Sequence, residues 1–111
     1  MLANGVDGTV NNPLAGSGGG SGGGILVNGN NVLISGTLLA EGGNGGPSSF
    51  ATGGGGGGGR IKIFRDNSIT NTGIISVSGG LKGINIGGTA DRGGASVDGN
   101  NGVIFSGTYL S

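Results

Sequence analysis

Histidine and cysteine are absent from this 111-residue chain, which leaves its five carboxylates as the candidates for glycosidase-type catalysis or for holding a cation. Glycoside hydrolysis needs paired carboxylates, and calcium-binding β-rolls repeat an aspartate in every G-G-x-G-x-D turn. Neither arrangement recurs here, since no acid lies in register with another; the five are Asp7, Glu41, Asp66, Asp91 and Asp98. We interpret the aspartates as turn residues and predict that the protein is not an enzyme and uses no metal or cofactor.

Glycine, at 33 residues, satisfies the spacing of nucleotide-binding loops through composition alone. The dinucleotide motif G-x-G-x-x-G needs a following helix to receive the pyrophosphate, and no helical periodicity follows any glycine tract. A P-loop ends in Gly-Lys-Ser/Thr, which the stretch 80–83 lacks. Five basic and five acidic residues give a formal net charge of zero, so there is no basic stripe for a phosphate backbone. We expect neither nucleotides nor nucleic acids as partners.

Short apolar runs rich in β-branched residues indicate strands. Asn, Asp and Gly, which favour turns, bound these runs. None exceeds three consecutive apolar residues, so we expect no membrane span, which needs about 18. Collagen is excluded because the chain has two prolines and no glycine at every third position. The sequence therefore predicts an all-β fold, with strands at 25–27, 32–34, 61–64, 95–97 and 103–105.

Three approximate repeats, 1–37, 38–74 and 75–111, organise a single domain covering residues 1–111. Each repeat contains a glycine tract, a short strand, an Asn/Asp/Gly corner, a longer strand and a polar turn. Parallel stacking of the repeats would turn equivalent residues into ladders, in which amides hydrogen-bond along the stack and apolar side chains fill a continuous core. The equivalent residues are Asn30, Asn67 and Asn101; Gly36, Gly73 and Gly107; Val32, Ile69 and Val103; and Leu38, Ile75 and Tyr109.

The expected architecture is a parallel β-solenoid of about three coils with glycine-rich extended segments. An antiparallel sandwich is the alternative, in which the strands of one repeat pair with each other. The glycine tracts at 18–24 and 53–59 are either floppy external loops or extended, polyproline II-like segments that pack closely because glycine lacks a Cβ. We favour the packed interpretation, because the seven glycines at 53–59 run directly into an apolar strand.

Residues 53–80 resemble the glycine-rich β-helical repeats of large secreted adhesins and surface proteins of bacteria and archaea. The likeness lies in the glycines before Arg60-Ile61-Lys62-Ile63 and in the stretch 68–80, and it covers the other two repeats loosely. The resemblance is compositional. It implies an extracellular location, a parallel β-helical fold and a structural or adhesive role, and it transfers no catalytic residue.

Both ends of the predicted solenoid lack the polar or helical cap that keeps solenoids soluble, which exposes unpaired strand backbone. The chain starts and stops in the same repeat phase, so one copy could continue into the next with its register kept. Such head-to-tail contacts do not close and generate filaments. We therefore predict a structural subunit of an extracellular self-assembling filament, which binds other copies of itself through Leu2, Val103, Phe105, Tyr109 and Leu110.

A glycan- or surface-binding segment of a larger adhesin is the alternative function, in which neighbouring repeats supply the missing caps. Carbohydrate sites usually stack exposed aromatic rings on sugars, and this chain has three phenylalanines and one tyrosine. Phe50, in the polar loop 47–50, is the best candidate for contact with a cell-surface or environmental polysaccharide.

Overall fold

The computed structural model describes residues 1–12, 15–48, 51–86 and 97–108. All regular secondary structure in these ranges is β, which confirms the predicted fold class. It consists of seven strands: β1 (Val10–Asn12), β2 (Ala15–Gly16), β3 (Gly24–Ile34), β4 (Thr37–Leu39), β5 (Arg60–Asn71), β6 (Ile74–Ser76) and β7 (Val103–Thr108).

Most of the strands pair in parallel, and each parallel pair joins one strand to the second strand after it along the chain. β3, β5 and β7 form a three-stranded parallel sheet with β5 in the middle, and β4 pairs in parallel with β6. Among the described strands, β1 and β2 alone pair antiparallel. Residues 36 or 37 apart face each other in the β3–β5 and β4–β6 pairs, so two predicted contacts, Val32 with Ile69 and Leu38 with Ile75, are confirmed.

A small hydrophobic core joins β3, β4 and β5; its buried members are Ile25, Val32, Ile34, Leu38, Ala40, Ile61, Ile63 and Val77. β5 has neighbours on both sides, so Ile61 is 0% exposed. Ile104 occupies the same row on β7 and is 47% exposed, because β5 is its one neighbour among the described strands. Complete burial of one such side chain stabilises a fold by about 1.5–3 kcal/mol.

Polar residues interrupt β3 and β5 midway. In β3 the inward-facing positions change phase between Gly29 and Val32, and the register with β5 shifts at the same point. The Asn67 amide donates to Asn31 Oδ1 over 2.9 Å, and the Ser68 hydroxyl donates to the same oxygen over 2.8 Å. One amide oxygen of β3 therefore holds two polar side chains of β5.

The third repeat is aligned differently from the prediction. β7 places Val103 opposite Arg60 and Gly107 opposite Phe64, whereas the repeat alignment predicted neighbours nine residues further along the chain. The chain runs 29 residues from the start of β6 to the start of β7, against 23 from β4 to β5. The extra length shifts β7, so the predicted neighbours of Val103 and Gly107 are wrong. The strand predicted at 95–97 is also wrong at Val97, which lies outside regular structure.

The predicted asparagine ladder is wrong at its third member. The amide of Asn67 reaches Asn31, the residue after Asn30, so the first contact lies one residue from the predicted one. The β7 register puts Asn101 level with Gly58, nine residues before Asn67. Asn101 therefore belongs to the glycine-rich part of the molecule and not to the strand corner.

The predicted pairing of Gly36 with Gly73 is confirmed. The carbonyl of Gly36 accepts a hydrogen bond from the N–H of Ile74 over 2.9 Å, and a Cβ on Gly73 would overlap that same carbonyl oxygen. Glycine at position 73 is therefore required by the close approach of the two turns.

Candidate functional site

Six glycine-rich segments lead into and out of the strands, and we label them g1 to g6 in chain order. They cover residues 3–9 (g1), 17–23 (g2), 40–48 (g3), 53–59 (g4), 77–86 (g5) and 97–102 (g6). Hydrogen bonds arrange them in two layers, with g1, g3 and g5 in one and g2, g4 and g6 in the other. Each layer continues a sheet: g2, g4 and g6 run into β3, β5 and β7, and g3 and g5 follow β4 and β6.

Within each layer, backbone N–H groups bond to the next segment at every third residue. Gly19 and Gly22 of g2 donate to g4 over 2.9 and 2.8 Å, and Gly55 and Gly58 of g4 donate to g6 over the same distances. Three residues per turn is the period of polyproline II, whereas a strand repeats every two residues. The other layer has the same spacing, with donors at Gly5, Gly8, Gly42, Gly45 and Ser48. The predicted packing of the glycine tracts against neighbours is confirmed.

Consecutive segments also bond across the two layers with the same period. N–H groups of g2 reach g1, those of g3 reach g2, and the pattern continues through g6. In the middle of the array, the N–H of Gly56 donates to Gly43 and its carbonyl accepts from Gly80, both over 2.8 Å. Backbone groups that have no strand partner are thereby satisfied inside the array.

Close backbone approach explains the unbroken glycine run of g4. A Cβ on Gly56 would overlap the carbonyl oxygen of Gly20 in g2, and a Cβ on Gly55 would overlap that of Gly80 in g5. Two of the three faces of g4 therefore exclude any side chain. Ser21 interrupts the run in g2 on a face that is exposed to solvent. None of the described glycines adopts a left-handed φ, so these positions need glycine for space and not for backbone conformation.

Asparagine and aspartate side chains bind the backbone of the neighbouring segment. Asn4 Oδ1 accepts from the N–H of Glu41 (2.9 Å), and Asp7 Oδ1 accepts from the N–H of Asn44 (2.8 Å). Asn44 Oδ1 in turn accepts from the N–H of Leu81 over 2.9 Å. Asp7 thus lies within an extended segment and not in a turn. The three-residue spacing of Asn4 and Asp7, and of G-G-N-G-G-P at 42–47, is the sequence signal that predicts this period.

The array has two unlike edges. The leading edge consists of g1, g2 and β3, and the trailing edge consists of g5, g6 and β7. Along the leading edge the carbonyls of Gly18 and Ser21 have no hydrogen-bond partner within the described residues. Leu2 is exposed on this edge and bridges in parallel to Leu39 of β4. The leading edge therefore presents backbone acceptors.

The trailing edge presents backbone donors and apolar side chains. The N–H groups of Asp98 and Asn101 have no acceptor among the residues that the structure describes. Val103 is exposed and Phe105 about half exposed. The Phe105 ring is tilted by 51° against Phe64 of β5, with the ring centroids 5.8 Å apart.

Side chains close half of the trailing edge, which differs from the prediction that neither end is capped. Asp98 Oδ1 accepts from the N–H of Lys82 over 2.8 Å, and Asn101 Oδ1 accepts from the N–H of Gly79 over 3.0 Å. Both N–H groups belong to g5. They are equivalent to the N–H groups of g3 that donate to g5. Natural proteins protect exposed edges with side chains in this manner. g5 is therefore capped, and g6 remains open.

The predicted assembly residues Leu2, Val103 and Phe105 lie on the two edges. Sequence reasoning missed the backbone acceptors of g2 and the donors of g6, because it placed Asn101 at a strand corner. Six residues to which the sequence analysis assigns a role lie outside the described ranges: Phe50, Asp91, Ala95, Ser96, Tyr109 and Leu110.

A cationic and aromatic surface covers the outward side of the three-stranded sheet. Lys62 stands between Leu26 and Phe105 in one row, and Arg60 stands beside Val103 in the next. A groove of about 490 Å³ adjoins these rows and is lined by glycine backbone from g2, g4, g6 and the start of β3, together with Ser21, Arg60 and Val103.

Within residues 1–12, 15–48, 51–86 and 97–108, no three acidic, histidine or cysteine side chains are grouped to hold a metal ion. The same ranges contain no helix long and apolar enough to cross a membrane. Comparison of the chain with known protein families, characterised proteins and solved structures finds no match.

Proposed function

We propose that this protein is the structural subunit of an extracellular self-assembling filament, in which copies stack head-to-tail. The observation that carries the proposal is the pair of unlike edges. The leading edge offers the carbonyls of Gly18 and Ser21, and the trailing edge offers the N–H groups of Asp98 and Asn101. Two different surfaces that fit each other make a heterologous contact, which generates an open filament when it does not close into a ring.

The proposal includes a finer architecture, a parallel β-solenoid of three coils. It is supported by the offsets of 36 or 37 residues in the β3–β5 and β4–β6 pairs. Hydrogen bonds between g1 and g3, and between g3 and g5, follow offsets of similar length. Each pass of the chain thus adds one segment to each layer and one strand to the sheet. A further copy stacked on either edge would extend the same pattern.

Exposed strand edges favour such stacking. β3 and β7 each have one strand partner among the described residues, and unpaired edge backbone is a template for another chain. Stacking would also cover Val103 and Phe105, which are exposed on the trailing edge. The extracellular location rests on the resemblance to glycine-rich surface proteins and on the low content of charged residues, 9%.

Electron microscopy and fibre diffraction of the purified protein test the proposal. We expect filaments with a meridional spacing of about 4.7–4.8 Å and a subunit rise of about 14 Å, which is three strand spacings. Sedimentation that finds monomer at every concentration would contradict self-assembly. Filaments without axial strand spacing would contradict the head-to-tail solenoid.

The alternative function, a polysaccharide-binding segment of a larger adhesin, is favoured by the cationic and aromatic sheet face. Lys62 and the half-exposed Phe105 ring lie side by side there, a combination suited to an acidic sugar chain. Affinity electrophoresis with an acidic polysaccharide distinguishes the two functions. Retardation that is lost in Lys62→Ala, and kept in the control Lys82→Ala on g5, would support the adhesin.

A further inference from the structure

One glycine of the leading edge, Gly23 of g2, has no need to be glycine within its own chain. Gly20 and Gly23 of g2 occupy positions equivalent to Gly56 and Gly59 of g4. Each of these glycines follows a residue whose N–H faces the next segment of the same layer. A Cβ on Gly56 or Gly59 would overlap a carbonyl oxygen of g2. At Gly23 the same Cβ would lie 3.4 Å from the nearest atom, the Cβ of Ala3, which is an ordinary contact. The free space at Gly23 faces the leading edge.

The trailing edge carries the groups that would fill this space. In g4 and g6, the residue before each N–H group that faces the next segment of the same layer has a carbonyl that accepts from the previous segment, as Gly54 before Gly55 and Val97 before Asp98 show. The same order in g2 gives acceptors at Gly18 and Ser21. Their spacing of three residues equals that of the free donors in g6, Asp98 and Asn101.

We infer that g6 of a second copy occupies the space beside g2, so that Asp98 and Asn101 donate to Gly18 and Ser21 of the next chain. β7 then pairs in parallel with β3 of that chain. If β7 and β3 of the next chain pair in the register of the β3–β5 and β5–β7 pairs, Val103 lies opposite Gly24 of the next chain. The inference rests on the proposed filament and names its subunit interface.

The other layer does not take part in this contact. Val6 and Thr9 of g1 stand where g3 has Gly43 and Gly46, and a Cβ on either of those glycines would overlap g1 backbone. Val6 is 80% exposed, so its side chain projects into the space that a further segment would need. The side chains of Asp98 and Asn101 already occupy the donors of g5. The interface is therefore confined to g2, g6 and the two sheet edges.

Alanine at Gly23 tests the interface, with alanine at Gly57 of g4 as the control. A Cβ on Gly57 would lie 3.7 Å from its nearest atom, the carbonyl oxygen of Asn100, and g4 lies between g2 and g6, away from both edges. Sedimentation velocity over a concentration series measures association of the full chain. We expect Gly57→Ala to assemble as the wild type does and Gly23→Ala to associate about tenfold or more weakly. Circular dichroism of monomeric protein should be unchanged in both, and neither variant should unfold at a lower temperature than the wild type, because a Cβ fits at both positions.

Mixing the variants with wild type gives a second readout that depends on the polarity of the contact. Gly23→Ala keeps an intact trailing edge, so it should add to one end of a filament and stop growth there. A small fraction of Gly23→Ala should then shorten wild-type filaments in electron micrographs, and Gly57→Ala should not. Equal assembly of Gly23→Ala and wild type would overturn this interface and leave the filament standing. A wild type that stays monomeric would overturn the second copy as occupant and the proposed function together.

Discussion

A pair of adjacent substitutions in g4, Gly56→Ala and Gly57→Ala, is expected to change stability in opposite directions. A Cβ on Gly56 would overlap the carbonyl oxygen of Gly20, a backbone atom that cannot move aside without displacing g2. The N–H of Gly56 also donates to Gly43 over 2.8 Å, and a shifted g4 would weaken that bond. A Cβ on Gly57 would lie 3.7 Å from the carbonyl oxygen of Asn100, which is ordinary contact.

The magnitude follows from these two environments. Overpacking costs about 1–3 kcal/mol, and a weakened hydrogen bond adds about 0.5–1.5 kcal/mol. We therefore expect Gly56→Ala to lower the free energy of unfolding by about 1.5–4.5 kcal/mol. Gly57→Ala should raise it by about 0.4–1 kcal/mol, because alanine restricts the unfolded chain at a site where the folded backbone accepts it.

Urea unfolding followed by circular dichroism measures both values, at a protein concentration where the chain is monomeric. In thermal unfolding, each kcal/mol of change in the free energy of unfolding should move the midpoint by roughly 4–8 °C for a domain near this size. If g4 were a flexible external loop, both substitutions would change the free energy of unfolding by a similar, small amount. Equal effects at Gly56 and Gly57 would therefore refute the packed array.

Three further substitutions test other parts of the fold. Ile61→Ala should destabilise by about 2–5 kcal/mol because Ile61 is fully buried, and Ile104→Ala should cost less because that side chain is 47% exposed; urea midpoints compare them. Asn31→Ala should cost about 1 kcal/mol in the same assay, since its Oδ1 accepts two hydrogen bonds from β5. Asp98→Ala should speed amide hydrogen exchange at Lys82, whose N–H would lose its acceptor. Asn100→Ala should leave that exchange unchanged.

The strands and the parallel registers of β3 with β5 and of β4 with β6 could be predicted because they depend on local side-chain chemistry. β-Branched runs around Ile25 and Ile61 mark buried strand positions, and their spacing gives the observed register of β3 with β5. The third register could not be predicted from the same rows. Asn, Gly and Val recur so often that Asn101 and Val103 aligned with similar residues nine positions away, and the longer chain between β6 and β7 overrides that match.

The glycine array was harder to predict because its contacts are between backbones, which all residues share. The sequence shows where glycine is dense but not which face of a segment meets a neighbour. Only the three-residue spacing of polar residues, as in Asn4 and Asp7 or Asp98 and Asn101, distinguishes packed polyproline II-like segments from loops. The side chains at these positions bind N–H groups of adjacent segments.

The density of glycine along the chain follows the number of neighbours that each segment has. g4 lies between other segments on several sides and is all glycine, whereas g6 keeps glycine at 99 and 102, where a Cβ would overlap carbonyl oxygens of g4. g1 follows the same rule with Gly5 and Gly8 facing g2. Gly23 of g2 stands at the position equivalent to Gly102 of g6, but its own Cβ would make only ordinary contact with Ala3. Because ordering glycine costs more entropy than ordering any other residue, a glycine at this position points to a further backbone packed along the leading edge.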